Sequence, residues 1–199
     1  MKSEYIGMLQ QFYTERYPVI TERLKKEMSP GYTYHCLEHV LDVLDAVEKI
    51  SKAEQCDDYI LYVVKIACLY HDIGFIYQRK EHEQRSAEVF EEDAIQAGLN
   101  QALIKDIYGC IMATKIPQGP HNRMEQIVCD ADLDYLGRDD YDEIADDLFK
   151  EMQFAGELSD PVKWKEIQIQ FLTNHRYHTK YSRDLRYEPM LRNLARLSS

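Results

Sequence analysis

The chain has 199 residues, of which 45% are hydrophobic and 30% charged, and its formal net charge is −11 at pH 7. This size and composition predict one globular domain with its own core and exclude a disordered or collagenous chain. The negative charge argues against a protein that coats a nucleic-acid polymer, which needs a positive field, but it is compatible with a small phosphorylated ligand.

Helical periodicity accounts for most of the chain. Two helices are predicted near the N-terminus, over 3–15 and 19–28, and residues 1–30 are expected to pack on a domain formed by 31–199. Apolar residues from Leu37 to Ile50 recur in steps of three and four, which indicates an amphipathic helix. The segment 59–70 is apolar almost all round and is therefore expected in the middle of a bundle.

The rest of the chain continues the same pattern. Further helices are predicted over 82–97, 100–113, 124–136, 139–153 and 161–175, and after Pro189. No alternating strand pattern of useful length is present, so the predicted fold class is all-α, a single-domain helical bundle.

Neither export nor membrane insertion is expected. The first 18 residues lack an unbroken apolar run, and no stretch approaches the ~18 apolar residues of a spanning helix. Five cysteines without a CxxC pair are typical of reduced thiols and not of a disulfide framework or a thiolate zinc site. We therefore expect a cytoplasmic protein.

Histidines and aspartates stand at the ends of the predicted helices. His35 and His39 are four residues apart, so a helix would place both on one face. His71 and Asp72 end the most apolar helix, where an unpaired polar group would be costly.

Asp130 and Asp132 follow a later apolar stretch. Imidazole and carboxylate together suit a divalent transition metal ion, namely manganese, iron, nickel, zinc or cobalt, and the sequence does not distinguish among these metals. Such an ion makes hydroxide available near neutral pH.

These motifs resemble the HD superfamily of metal-dependent phosphohydrolases. The resemblance lies in Tyr34-His35-x-x-x-His39, His71-Asp72 and Asp130-Ala131-Asp132, and the opening motif is also similar to that of cyclic-nucleotide phosphodiesterases. The segments HEQRSAEVF, DADLDYLG and RNLARL look like a bacterial subgroup of HD-type hydrolases. The resemblance covers about residues 32–197 and implies a helical bundle of the HD-domain and phosphodiesterase-like type.

The resemblance also implies roles for single residues. The metal ligands would be His39, His71, Asp72 and Asp132. Asp72 would also orient the attacking water and accept its proton, and His35 would protonate the leaving oxygen. Asp130 would lie behind the ligands or on an exposed helix face.

Basic residues near the motif are candidates for binding the phosphate. Arg79, Lys80 and Arg85 follow the His-Asp pair within about two helical turns, and Lys115 comes later. They would stabilise charge on the phosphoryl oxygens. The alternative for each of them is a solvated surface charge.

A second metal ion is less well supported by the sequence. Dinuclear members of the superfamily have two further histidines before the last aspartate. His82 lies near the first of these places, but Lys115 stands near the second. We therefore expect one tightly held metal ion, with a second ion such as Mg²⁺ weakly held or absent. Glu83 could hold a water on that metal, or it could be an exposed helix residue.

The leading functional prediction is a hydrolase of phosphoester or phosphoanhydride bonds in a small molecule such as a nucleotide. One alternative is a di-iron HD-fold oxygenase, which needs the full ligand set. The other is an HD domain that binds a ligand without turnover. His175 and His178 are interpreted as a polar helix end. No nucleic-acid polymer or membrane partner is expected, and the oligomeric state is left open.

Overall fold

The computed structural model of the protein describes residues 2–199, so Met1 of the 1–30 segment lies outside the described residues. This range is all helical, without a strand, and the predicted fold class is confirmed. The α-helices are α1 (Lys2–Glu27), α2 (Leu37–Ala53), α3 (Asp58–Tyr70), α4 (His82–Gln96), α5 (Gln101–Ala113), α6 (Arg123–Asp132), α7 (Tyr141–Phe154), α8 (Pro161–Asn174) and α9 (Lys180–Ser198). Short 3₁₀-helices cover Ile73–Ile76 and Asp134–Gly137.

The prediction of two N-terminal helices is wrong, because α1 continues through Pro18 as one helix. Proline removes one backbone hydrogen bond and usually kinks or ends a helix. Here Phe12 before the proline and Ile20 after it are both buried in the same core. Packing of the two halves against one surface therefore outweighs the local preference for a break.

The last helix begins nine residues earlier than Pro189 suggested. The side chain of Thr179 caps the start of α9 by accepting a hydrogen bond from the backbone N–H of Ser182. Pro189 lies inside the helix. The helix therefore begins at its capping residue and not at the proline.

Two apolar clusters make up the interior. The larger one joins α1 to α6 and is centred on α3, whose residues from Ile66 to Tyr70 are fully buried. The smaller one joins α7, α8 and α9 to Tyr34 and to the chain that follows α6. A cavity of about 500 Å³ lies where the two clusters meet, lined by the ends of α3 and α6 on one side and by α7 and α8 on the other.

The segment Asp58–Ile76 is long and apolar enough to cross a membrane, with a mean hydropathy of 1.5, although the sequence suggested no such stretch. In the folded chain 67% of the apolar 18-residue window within this segment is buried inside the protein. Its apolar character is therefore explained by its position as the core helix of the larger cluster.

Candidate metal centre and its cavity

The four residues expected to bind a metal lie at the ends of three helices. His39 lies in the first turn of α2, His71 caps the C-terminus of α3, Asp72 follows it directly, and Asp132 is the last residue of α6. The backbone carbonyls at the C-termini of α3 and α6 carry partial negative charge, which favours a cation nearby. The structure therefore brings together four side chains that are up to 93 positions apart in the sequence.

The donor atoms of these residues converge closely. Nε2 of His71 lies 3.2 Å from Nε2 of His39. Oδ2 of Asp72 lies 3.2 Å from Nε2 of His71 and 3.5 Å from Nε2 of His39. Oδ1 of Asp132 lies 3.3 Å from the same atom of His39 and 3.6 Å from that of His71.

The hydrogen bond of His71 orients its ring so that Nε2 can bind a cation. Its Nδ1 donates to the backbone carbonyl of Cys68 at 2.8 Å, so a neutral ring presents the Nε2 lone pair to the cluster. Two facing Nε2 atoms at 3.2 Å need a proton or a metal ion between them. In addition, Oδ2 of Asp72 is buried and accepts no hydrogen bond from the described residues. The group formed by His39, His71 and Asp72 could therefore hold a metal ion.

The pKa values of these residues also favour a cation at this position. Burial alone would raise the pKa of Asp72 and Asp132, but His71 holds the pKa of Asp72 well below its usual range. Contacts with His39 and His71 lower the pKa of Asp132 to about 2. Burial disfavours the charged form of His71, yet the two carboxylates raise its pKa well above the ordinary value. Both carboxylates are therefore ionised at neutral pH and attract positive charge.

His82 and Glu83 begin α4 on the far side of Asp72. Nε2 of His82 lies 3.6 Å from Oδ1 of Asp72 and 3.6 Å from Oε1 of Glu83. Burial lowers the pKa of His82, so its neutral form is favoured. Glu83 is buried, so its interpretation as an exposed helix residue is wrong. The two oxygens of Asp72 thus face different histidines.

A glycine allows α4 to approach this closely. A Cβ atom at Gly74 would lie 2.1 Å from the backbone oxygen of His82, and the N–H of Gly74 donates to Oγ of Ser86 at 2.8 Å. Any larger residue would push the start of α4, and with it His82, away from Asp72.

His35 is held at the edge of the cavity by a buried carboxylate. Its Nδ1 lies 2.6 Å from Oε1 of Glu151, and the backbone N–H groups of Tyr34 and His35 donate to Oε2 at 3.1 and 2.9 Å. Burial would raise the pKa of Glu151, but His35 and Arg79 lower it to about 2. An ionised Glu151 accepts a hydrogen bond from the Nδ1–H group of His35 and leaves Nε2 free. His35 also stacks on Phe75, with ring centroids 4.0 Å apart.

Only some of the candidate phosphate-binding residues reach the cavity. Arg79 and Lys115 line it. Arg79 contacts Glu151 and donates to Oε1 of Glu157 at 2.9 Å. Lys115 contacts Oε2 of Glu81 at 2.6 Å.

Lys80 and Arg85 lie outside the cavity. Lys80 is exposed, and the guanidinium of Arg85 lies over the ring of Tyr77, 4.5 Å from its centroid, and pairs with Glu88. Both residues therefore fit their alternative interpretation as surface charges.

Asp130 has a structural role that the sequence did not indicate. It is fully buried, and its two carboxylate oxygens accept the backbone N–H groups of His178 and Thr179 at 2.9 and 2.7 Å. The alternative of an exposed position is therefore wrong, and Asp130 fastens the start of α9 to α6. The interpretation of His175 as part of a polar helix end also needs correction, because its side chain is buried and its Nε2 lacks a partner among the described residues.

Two polar contacts at the site were not predicted from the sequence. Glu151 continues the apolar stripe of α7 that includes Leu148, and a carboxylate on such a stripe is a recognisable signal. Gln118 donates through its amide to Oδ2 of Asp132 at 3.3 Å, which leaves Oδ1 facing the histidines. Gln118 belongs to a turn-rich loop and carried no signal in the sequence.

No protein-family model matches this chain, and no curated protein and no solved structure is significantly similar to it. Its function must therefore be inferred from the geometry of the site.

Proposed function

We propose that the protein is a metal-dependent phosphohydrolase of the HD type that acts on a small phosphorylated molecule. One observation carries the proposal: two imidazole nitrogens and two carboxylates converge within 3.6 Å at one end of a cavity that also contains His35. In addition, Oδ2 of Asp72 is buried without a hydrogen bond from the described residues, and a cation at this position would satisfy it.

The residues suit a transition metal ion. His39, His71, Asp72 and Asp132 would hold it, because nitrogen and oxygen ligands of this kind bind zinc, iron, manganese, nickel and cobalt. When bound, the ion would supply Lewis-acid chemistry at a phosphoryl oxygen and make hydroxide available near neutral pH.

The protein's own residues supply the remaining parts. Asp72 has a second oxygen on the His82 side and can orient a water there and accept its proton. His35, with Nδ1 held by Glu151, can give a proton from Nε2 to the leaving oxygen. Arg79 lines the cavity and contacts Glu151, the partner of His35, and it can stabilise charge on the phosphoryl oxygens.

Metal content and hydrolysis test the proposal together. Purified protein should carry about one equivalent of a transition metal, and it should hydrolyse members of a panel of p-nitrophenyl esters, nucleotides and cyclic nucleotides. H71A and D72A should lose the metal and lower turnover by more than about 100-fold. H121A replaces an exposed histidine and should change neither property.

Three outcomes would contradict the proposal. Protein without metal or affinity for any divalent ion would refute the metal site. Turnover that survives in H71A and D72A would come from a contaminant. Iron-dependent oxygen uptake with a diol or phosphonate would favour the oxygenase instead.

A further inference from the structure

The cavity has a charged end and an apolar arm. The charged end contains His71, Asp72 and Asp132 of the candidate metal site, and His35, Arg79 and Lys115 lie beside them. The arm is formed by α7 and α8, where Tyr141, Ala145 and Trp164 are buried around the space. A ligand that reaches from the metal cluster into the arm would therefore need one charged group and one apolar group.

Aromatic rings line the path between the two ends. The rings of His39 and Tyr34 lie 4.6 Å apart, those of Tyr34 and Tyr135 lie 5.6 Å apart, and Tyr135 stacks on Tyr141 at 6.1 Å with an interplanar angle of 10°. Trp164 is supported from behind by Phe149, with the two rings 5.7 Å apart and nearly parallel. A planar ring in the arm would thus find aromatic partners along its length.

The charges of the lining limit how much phosphate the cavity can hold. Among the described residues, Arg79 and Lys115 are the cations of the lining, and four carboxylates oppose them. The described lining therefore has a formal charge of −2 with neutral histidines. A divalent ion would only balance this charge. Both cations are already paired with glutamates. A single phosphate at the metal ion would already exceed this balance, and each further phosphate would add negative charge against the same two paired cations.

Resting on the proposed function, we infer that the substrate is a monoester of phosphate with an alcohol that carries an aromatic ring, and that polyphosphates are not substrates. In the reaction, the oxygen of water bonds to phosphorus and the bond from phosphorus to the alcohol oxygen breaks. The alcohol oxygen takes up a proton, for which His35 is placed, and the products are inorganic phosphate and the free alcohol.

Binding of two phosphonates that cannot be hydrolysed tests the arm directly. In calorimetric titrations of the Mn²⁺-loaded protein, benzylphosphonate should bind roughly ten to a hundred times tighter than methylphosphonate. Trp164 is the single tryptophan, so benzylphosphonate should also change the intrinsic fluorescence, and methylphosphonate should not. Equal affinities for the two probes would overturn the inference.

Two alanine-to-leucine substitutions test whether the aromatic ring of the ligand binds in the arm. A145L fills the arm and should weaken benzylphosphonate binding by about tenfold without affecting methylphosphonate. A155L makes the same change at an exposed position just after α7 and should affect neither probe. Unchanged benzylphosphonate binding in a folded A145L would contradict the assignment. If A145L does not fold, the comparison of the two probes on the wild-type protein decides.

Turnover separates this inference from the proposed function. Benzyl phosphate should be hydrolysed, and adenosine triphosphate supplied with excess Mn²⁺ should not. Tight binding of benzylphosphonate without hydrolysis of any ester would refute the hydrolase and leave the ligand class intact. Hydrolysis of adenosine triphosphate at a comparable rate would leave the hydrolase intact and refute the ligand class.

Discussion

Replacing Glu151 with glutamine removes a buried charge and keeps the shape of the side chain. Burial opposes ionisation of Glu151, but the contacts with His35 and Arg79 lower its pKa from 4.5 to about 2. One pKa unit corresponds to about 1.4 kcal/mol. Ionised Glu151 should therefore stabilise the folded state by about 3 kcal/mol at pH 7, and E151Q should lose this contribution.

The direction of the pKa change fixes the pH range of the effect. A carboxyl with a lowered pKa stabilises the fold fully above its unfolded value of 4.5 and loses this contribution as the pH falls toward 2. Urea unfolding followed by circular dichroism should show that E151Q is about 3 kcal/mol less stable than wild type at pH 7. At pH 3 the difference should be less than half as large.

Glu157 provides the matched control. It also pairs with Arg79, but its side chain is 46% exposed, so E157Q should change stability by no more than about 1 kcal/mol. A difference below 1 kcal/mol for E151Q at pH 7, or the same difference at pH 3, would refute the role of its charge. If His35 is the general acid, E151Q should also slow alkyl esters more than p-nitrophenyl esters.

Three further substitutions test other parts of the site. H35A should lower turnover of esters with poor leaving groups by about 100-fold and keep the metal content, as measured by kinetics and elemental analysis. Burial lowers the pKa of His175 from 6.5 to about 4, so this residue should cost the wild type about 3 kcal/mol as the pH falls from 6.5 to 4. H175F should remove this part of the acid sensitivity, measured by urea unfolding. G74A should cost about 1–3 kcal/mol in the same assay and slow hydrolysis, because the new Cβ would displace His82.

For each of these three predictions, one result would contradict it. Loss of the metal in H35A would make His35 a ligand. Equal pH dependence of unfolding in H175F and wild type would mean that the buried ring does not cause the acid sensitivity. Wild-type stability in G74A would mean that the contact with α4 relaxes without cost.

The sequence by itself determined the fold class and the four residues of the candidate metal site. Periods of three and four placed most helices close to their observed bounds, because this signal is local and each amphipathic helix needs only one apolar face. The apolar segment 59–70 predicted the core helix α3 for the same reason. His39, His71, Asp72 and Asp132 were identified by motif, and the structure brings them together.

Tertiary packing determined the features of the site and the fold that depend on contacts between residues distant in the sequence. The bond between His35 and Glu151 joins residues 116 positions apart, and whether that glutamate faces solvent or cavity depends on how α7 packs. Burial likewise decided that α1 continues through Pro18, that Asp130 anchors α9 and that Arg85 lies outside the cavity. Local sequence patterns specify which face of a helix is apolar, but only the packed structure determines which partner covers that face.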